Sequence, residues 1–540
     1  MRTRKRLHRR ALLALLAVFA IVVAACGSDG GDGTAAEGSD KGLTETKDDV
    51  NDALNTTTTV GGSTTTAAGA KPTSIEDWEA LWAKEREAIV QKIEDGGWGW
   101  DQAANKVTGP GGFEVDLSTC PSGWDPYGGL EGGVINIGQT IAQSGTLADY
   151  GNIGVAQQIL YDYVNSTGGI TDAEGKTYTI QTDRKDDSYD PAKTVPLVDE
   201  LLDSAGSFAI QTLGSPNTMK VYDKLNQRCV PDPYVMSGHP AWGDPVNHPW
   251  IWGHALAYNT EAVIWGGLLE KKFADKDEVT VAALIMQNDF GKAYELGFTE
   301  YIKTVTKPKI NFVFERIEPS APTITNQMTT LAAKNPDVFI AMTAGTSCTQ
   351  VVQEAANNGM KDSVEMLFTG QPCKGLTFMG KDKVGDDGTA SDGWWIAGGG
   401  NKDFNDASQF DDPWIAFARD LLEKAGKPSE TSSNLGGGFQ YGWPVWQTLE
   451  IAAQLPGGLS RPNFMIAARM IDMTNPNNFD GIGYSMSGND DPYPIEGSEI
   501  AQFSGAEQRW VADESFGILD LTRKSPPCAW DQAVSACKTG

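Results

Sequence analysis

Two hydroxyls three residues apart, Ser215 and Thr218, are the groups best placed by type and spacing to hold a ligand. They stand in Leu213-Gly-Ser-Pro-Asn-Thr-Met219, after the strand expected at 208–211, with Ser215 where a helix N-cap belongs and Pro216 at the first helical position. The free amides of a helix start, joined by hydroxyls, form an anion site above the end of a parallel strand. On spacing alone an ordinary capped helix accounts for the same residues. A second loop, Met236-Ser-Gly-His-Pro-Ala-Trp242, also follows a strand and offers Gly238 and His239. Three of the four histidines (His239, His248, His254) fall among Trp242, Trp250 and Trp252. Imidazole suits zinc, but these spacings fit no single-helix pattern and no Cys pair completes them, so neither a metal nor a cofactor is expected. The chain has no G-x-S-x-G elbow, no H-E-x-x-H and no P-loop, so hydrolase and NTPase chemistry lack their parts and no enzyme is expected.

These loops need a scaffold that presents strand ends side by side, and the sequence supplies one. Val134–Gly138 reads as a buried strand bounded by glycines, and a helix follows with Ile153, Ala156, Ile159, Leu160, Tyr163 and Val164 on one face. Gly168-Gly169 ends it, residues 177–182 alternate as a second strand, and Asp190-Pro191 opens the next helix. This is a β-α-β unit of a doubly wound parallel sheet. A second set of units begins near Tyr258, with strands at 279–286, 309–314, 336–341 and 365–368 and helices at 292–305, 323–334 and 349–358. Helices at 413–425 and 440–455 follow, and residues 95–131 read as irregular chain.

The runs IGQTIAQSGTLADYGNIG, NSTGGI and DRKDDSYDPAKTV resemble the type I solute-binding proteins of ABC importers, nearest the leucine/isoleucine/valine-binding group, over about residues 130–500. The resemblance implies an α/β fold of two doubly wound parallel-sheet lobes joined by a multi-strand hinge, a Venus-flytrap architecture that closes on its ligand. It implies that Ser215 and Thr218 hold a ligand carboxylate, that Gly238 and His239 lie in a second ligand loop, and that Tyr150 and Phe290 pack against the ligand body, Phe290 in place of the family's capping tyrosine. Ala344 and Gln371 fall where the branched-chain amino-acid binders place an aromatic and a glutamate. That glutamate pairs with the ligand ammonium, and residues 370–373 (Gly-Gln-Pro-Cys) contain no carboxylate. A buried ammonium without a partner costs several kcal/mol. The expected ligand is therefore a small polar solute: branched-chain amino acids by family default, with amides, short carboxylates and aromatic acids beside them.

Composition sets the surroundings. The chain has 540 residues, 40% of them hydrophobic, and a net charge of −28. Such an acidic surface excludes nucleic acid, which needs basic patches. Six Lys/Arg residues precede the apolar run 11–22, and Val23-Ala-Ala-Cys26-Gly resembles the bacterial lipobox, which implies cleavage before Cys26 and its lipidation. The expected organisation is a lipoprotein signal peptide (1–25), a lipid-anchored disordered linker (26–72) reaching about 35–40 Å, and an extension with an amphipathic helix (73–131). Lobe 1 (132–257 with 398–480) and lobe 2 (258–397 with 481–540) complete it. Beyond Cys26, six cysteines remain, an even number in an exported protein. Six allow fifteen pairings; proximity favours Cys348–Cys373 and Cys528–Cys537, which leaves Cys120–Cys229. A lipid-anchored monomer on the outer face of the cytoplasmic membrane is expected, delivering solute to an ABC permease with its ATPase. The same body also serves as a sensor ectodomain, which here requires a separate membrane protein for signalling.

Overall fold

Val281–Met286 is buried at every residue, the signature of a parallel strand covered on both faces. The structure containing it is a computed structural model that describes residues 47–48, 50–55, 71–385, 387–521, 528–531 and 536–538. The signal segment 1–25 and Cys26 lie outside the described residues, as does most of the 26–72 linker.

The elements that position the cleft run in chain order as follows. Helix α1 (Ile75–Asp95) precedes β1 (Val134–Ile141), α2 (Gly151–Ser166), β2 (Thr177–Asp186), α3 (Pro191–Asp203), β3 (Ala209–Thr212), α4 (Ser215–Gln227), β4 (Asp232–Val235) and β5 (Ile251–Gly253). Next come α5 (Tyr258–Lys272), β6 (Glu278–Met286), α6 (Asp289–Thr304), β7 (Lys309–Ile317), β8 (Val338–Met342), α7 (Thr346–Asn357), β9 (Met366–Thr369) and β10 (Trp395–Ala397). Helices α8 (Pro413–Lys424), α9 (Asn434–Gln454) and α10 (Arg461–Arg469) lead to β11 (Gly497–Ser504) and β12 (Arg509–Ala512).

In the first sheet β1 pairs in parallel with β2 and β3. A parallel bridge from Leu213 to Met236 links β3 onward to the parallel pair β4–β5. The second sheet has the order β7-β6-β8-β9-β10-β11-β12, parallel as far as β10 and antiparallel beyond. Chain passes between the sheets after β5, after β10 and before β11, which makes two α/β lobes joined by a multi-strand hinge. Residues 484–493 and the closing strands Ala529–Asp531 and Ala536–Lys538 rest on the 239–254 segment: Tyr493 donates to the Pro240 carbonyl, and Cys528 N donates to that of Gly243.

Several elements differ from the sequence reading. Strand β1 continues to Ile141, because Gln139 and Thr140 are buried and carry the ladder to β2 and β3. Residues 95–131 are not wholly irregular: Gly99–Asp101, Lys106–Thr108 and Glu114–Asp116 form a small antiparallel sheet. Helix α9 starts at Asn434, six residues earlier than expected. The added turn holds the glycines 436–438, and a Cβ on Gly438 would stand 2.4 Å from that of Ala156. Their role is a close helix crossing on α2. Within the linker, residues 50–55 are helical, and Val50 and Leu54, four apart on one face, are buried on α5 beside Gly267.

Helix α1 is capped by Ser74, whose hydroxyl accepts from Asp77 N. It buries Trp82 among Trp414, Trp443 and Trp446, each with ring centroids 5.7 Å away. Truncating a tryptophan so packed costs about 3–5 kcal/mol. Trp394, Trp443 and Trp446 are core residues, and Trp395 is half-buried. The disulfides join Cys120–Cys229, Cys348–Cys373 and Cys528–Cys537.

Candidate functional site

Between the lobes lies a cavity of about 160 Å³, the size that in other proteins holds one benzene-sized molecule. Strand ends converge on it because a doubly wound sheet exposes its carboxyl edge at the crevice. Tyr150, Ser215, Phe290, Ala344 and Gln371 all line it. Thr218, Gly238 and His239 do not line it. Thr218 lies behind the start of α4, sharing a 2.6 Å hydrogen bond with Thr212 and donating to Gly214 O. Gly238 is covered by Leu256 and Tyr258, and its carbonyl accepts from Tyr258 N. His239 accepts from Ala241 N and packs edge-on against Trp530, and burial pushes its imidazole down to about 3.

Ser215 is the first residue of α4 rather than its cap. The cap is Gly214, whose φ of +93° needs glycine, and a Cβ there would stand 2.3 Å from the Tyr189 ring. The Ser215 hydroxyl shares a 2.8 Å hydrogen bond with that of Ser237. Asp187 fixes this wall from behind, accepting from Tyr189 N, the Thr194 hydroxyl and Asn217 Nδ2. Burial raises its carboxyl against those three hydrogen bonds.

The opposite wall hangs from Gln371, in the turn that Cys348–Cys373 ties to the start of α7. Its backbone amide donates to Glu261 Oε1, and its Nε2 donates to Glu261 Oε2 and the Leu256 carbonyl. Glu261 also accepts from the Tyr294 hydroxyl, and burial pushes its carboxyl up to about 8. Lys374 donates to Glu499 and to the carbonyls of Gly398 and Asn401. Lys402 is likewise occupied, by Asp412 and the Pro476 carbonyl. Bonds between the lobes cross the cleft. The Tyr150 hydroxyl donates to Pro372 O at 2.8 Å and accepts from Gly345 N, and Thr146 donates to Pro319 O at 2.7 Å.

Sequence reasoning missed much of the lining. Tyr189 sits inside the DDSYDP run and was findable there; Tyr258, Phe378, Asp403 and Tyr441 come from elements with no motif of their own. The turn at 370–373 carries no carboxylate, as expected; Asp403, on the crossing after β10, is among the lining residues, its carboxylate accepts from Asn405 N, and burial raises it. The described residues contain no group of three His, Cys, Asp or Glu side chains that could hold a metal ion. No helix among them is long and apolar enough to cross a membrane.

The family model described as periplasmic binding protein matches residues 134–409. None of the curated proteins compared matches the chain. Among solved structures, a fatty acid ABC transporter substrate-binding protein from Thermomonospora curvata is 19% identical, with a TM-score of 0.59 over 73% of this chain and 97% of that one. A branched-chain amino acid ABC transporter protein from Thermus thermophilus with bound valine is 15% identical, with a TM-score of 0.58 over 70% and 95%. A solute-binding protein of an ABC transporter from Rhodopseudomonas palustris BisB5, in complex with 3,4-dihydroxybenzoic acid, is 16% identical, with a TM-score of 0.56 over 72% and 98%. At these identities the likeness is one of fold.

Proposed function

The chain belongs to the periplasmic binding protein family, and from that premise we propose that it is an extracytoplasmic, lipid-anchored solute-binding protein. It captures one small polar solute (a branched-chain amino acid, an amide or a small carboxylate) by lobe closure and delivers it to an ABC permease and its ATPase. The anchor is Cys26, and the protein works as a monomer. Ligand contacts come from Tyr150, Ser215, Phe290, Ala344 and Gln371, joined by Tyr189, Tyr258 and Asp403. The lobes are 132–257 with 398–480 and 258–397 with 481–540, except that residues 484–493 and the strands Ala529–Asp531 and Ala536–Lys538 go with the first.

The observation that carries this reading is the cavity itself: a single-molecule space walled by both lobes, with Tyr150 bridging them. A ligand touching both walls favours the closed state by its differential contacts. No catalytic role is assigned to any residue.

The test is a thermal-shift screen of the full chain in detergent against amino acids, amides and small carboxylates. A ligand at 100 times its Kd adds about 2.7 kcal/mol of stability, enough to read. One ligand class shifting the melt, recovered unchanged after incubation, supports the proposal. No shift from any class sinks it, and chemical turnover of the bound compound makes the protein an enzyme instead.

A further inference from the structure

The amino-terminal chain is gripped twice, once by each lobe. Helix α1 belongs to lobe 1: beyond the packing of Trp82 among Trp414, Trp443 and Trp446, its indole Nε1 donates to Thr474 O at 3.1 Å, and Arg86 donates to Gln447 Oε1 at 2.6 Å. Upstream, the linker is seated on lobe 2. Lys47 Nζ donates to Thr304 Oγ1 at 2.7 Å and stands 3.8 Å from Glu270 Oε2 and 5.0 Å from the centre of the Tyr301 ring, so it joins the last turns of α5 and α6. Lys271 Nζ donates to the Leu54 carbonyl at 2.5 Å, and Asn51 Oδ1 accepts from the Tyr301 hydroxyl at 3.3 Å.

The seat is shaped for this segment. Val50 and Leu54 are two of the four branched aliphatic residues between positions 27 and 72, and both are buried while Asp48, Asp52 and Asn55 are exposed. Beneath them α5 carries Gly267, where a Cβ would stand 2.7 Å from Leu54 Cδ1 and 3.4 Å from Val50 Cγ1. Glycine inside a helix is unfavourable, and here its missing side chain is the room the linker occupies. The seat is also remote from the cleft. Glu261 meets Gln371 from the first turn of α5, and Lys271 lies ten residues on, about 15 Å along the helix axis.

We infer that this seat makes lobe 2 the membrane-side lobe: Lys47, Val50 and Leu54 fasten the chain that leads from the Cys26 anchor to the ends of α5 and α6, away from the cleft. The inference rests on the lipid-anchored reading and goes beyond it. Held through α1 alone, the anchor would belong to lobe 1, and the chain from Cys26 to Lys71 would span at most about 150–160 Å. Seated at Lys47, the anchor belongs to lobe 2, and the 20 residues between Cys26 and Lys47 span at most about 70–75 Å whatever their conformation. The seat therefore changes which lobe carries the anchor and halves the distance that lobe can stray from it.

The test places the full lipidated chain on phosphatidylcholine vesicles that contain a headgroup-labelled acceptor lipid and reads energy transfer from one dye per molecule. The dye sits at Lys307→Cys, just before β7 in lobe 2, or at Glu174→Cys, just before β2 in lobe 1; both positions are exposed, and each lies at the end of its sheet away from the cleft. The described cysteines are paired, so the added thiol takes the label. Transfer from Lys307→Cys should exceed that from Glu174→Cys, and the excess should be lost in Val50→Asp/Leu54→Asp, which alters the linker and leaves both lobes as they are. Lys47→Ala/Lys271→Ala, which removes the polar half of the seat, should shrink the same excess. Equal transfer from the two positions, or an excess unmoved in Val50→Asp/Leu54→Asp, overturns the inference while leaving a lipid-anchored protein. A chain that does not float with the vesicles overturns the lipid anchor itself, and the inference with it.

Discussion

The two walls of the cleft are built by different means. On the first lobe Asp187 gathers Tyr189 N, Thr194 and Asn217, partners 2, 7 and 30 residues away along the chain. On the second wall, Gln371 is fixed by Leu256 and Glu261, 115 and 110 residues distant, and Lys374 by Glu499, 125 residues distant. The first wall is a property of one lobe and holds its shape whatever the other lobe does. The second draws on Leu256, Gly398 and Asn401, which lie at or beside the hinge crossings, so its shape depends on lobe and hinge being docked. Rigid recognition on one side and assembled recognition on the other give closure something to depend on.

The hardest blow to this contrast is Asp187→Ala. It leaves Tyr189 N without its acceptor and takes one of two acceptors from the Thr194 hydroxyl and from Asn217 Nδ2, and should cost about 2 kcal/mol, read as a lower unfolding midpoint together with loss of binding. A loss below about 1 kcal/mol contradicts the claim that the first wall is held from within its lobe.

Both lobes answer to pH. Glu261 behind the second wall and Asp232, which accepts from Thr212 in the first lobe, are lifted by burial to about 8 and about 7 from 4.5 and 3.8 and bind protons in the folded state that the unfolded chain has already released. Their contribution is complete at low pH and is lost as pH rises through those values. His239 and His254, pushed by burial from 6.5 to about 3, have the opposite sign: their contribution is present above 6.5 and lost as pH falls. The melting temperature should therefore drop by a few degrees between pH 6.5 and 8, and less steeply in Glu261→Gln. A flat profile over that window removes Glu261 from the account.

Tyr150→Phe should be milder. It deletes the hydroxyl that joins Pro372 O to Gly345 N across the mouth, and should weaken binding of the best ligand about tenfold with little change in the melt of the free protein. Equal affinity in the variant means that closure does not run through Tyr150. Smallest of all should be Ser215→Ala, since that hydroxyl already shares a bond with Ser237. A few-fold loss of affinity fits a wall that works through backbone amides, whereas complete loss makes the hydroxyl itself the ligand contact.

The legibility of the site follows the same division. Tyr150 and Ser215 stand where short-range pattern puts them: a turn after β1 and a proline-marked helix start after β3. Thr218 was equally visible and lies one turn further into α4, where helix geometry aims it at Thr212 rather than at the cavity. Glu261 had no signal at all. It is a glutamate in the first turn of a helix, a place where most glutamates are solvated, and only the fold of α5 against β9 buries it beneath Gln371.

By itself, the sequence determined what depends on neighbours a few residues apart: the β-α-β units with their glycine stops and proline starts, the two lobes those units build, and the even cysteine count. Backbone sterics and the periodicity of burial act over that range, so the pattern is written locally. Only the tertiary structure decided what holds the walls of the cleft. How the Gln371 amide is turned depends on what stands behind it, and here that is a carbonyl and a carboxylate more than a hundred residues away.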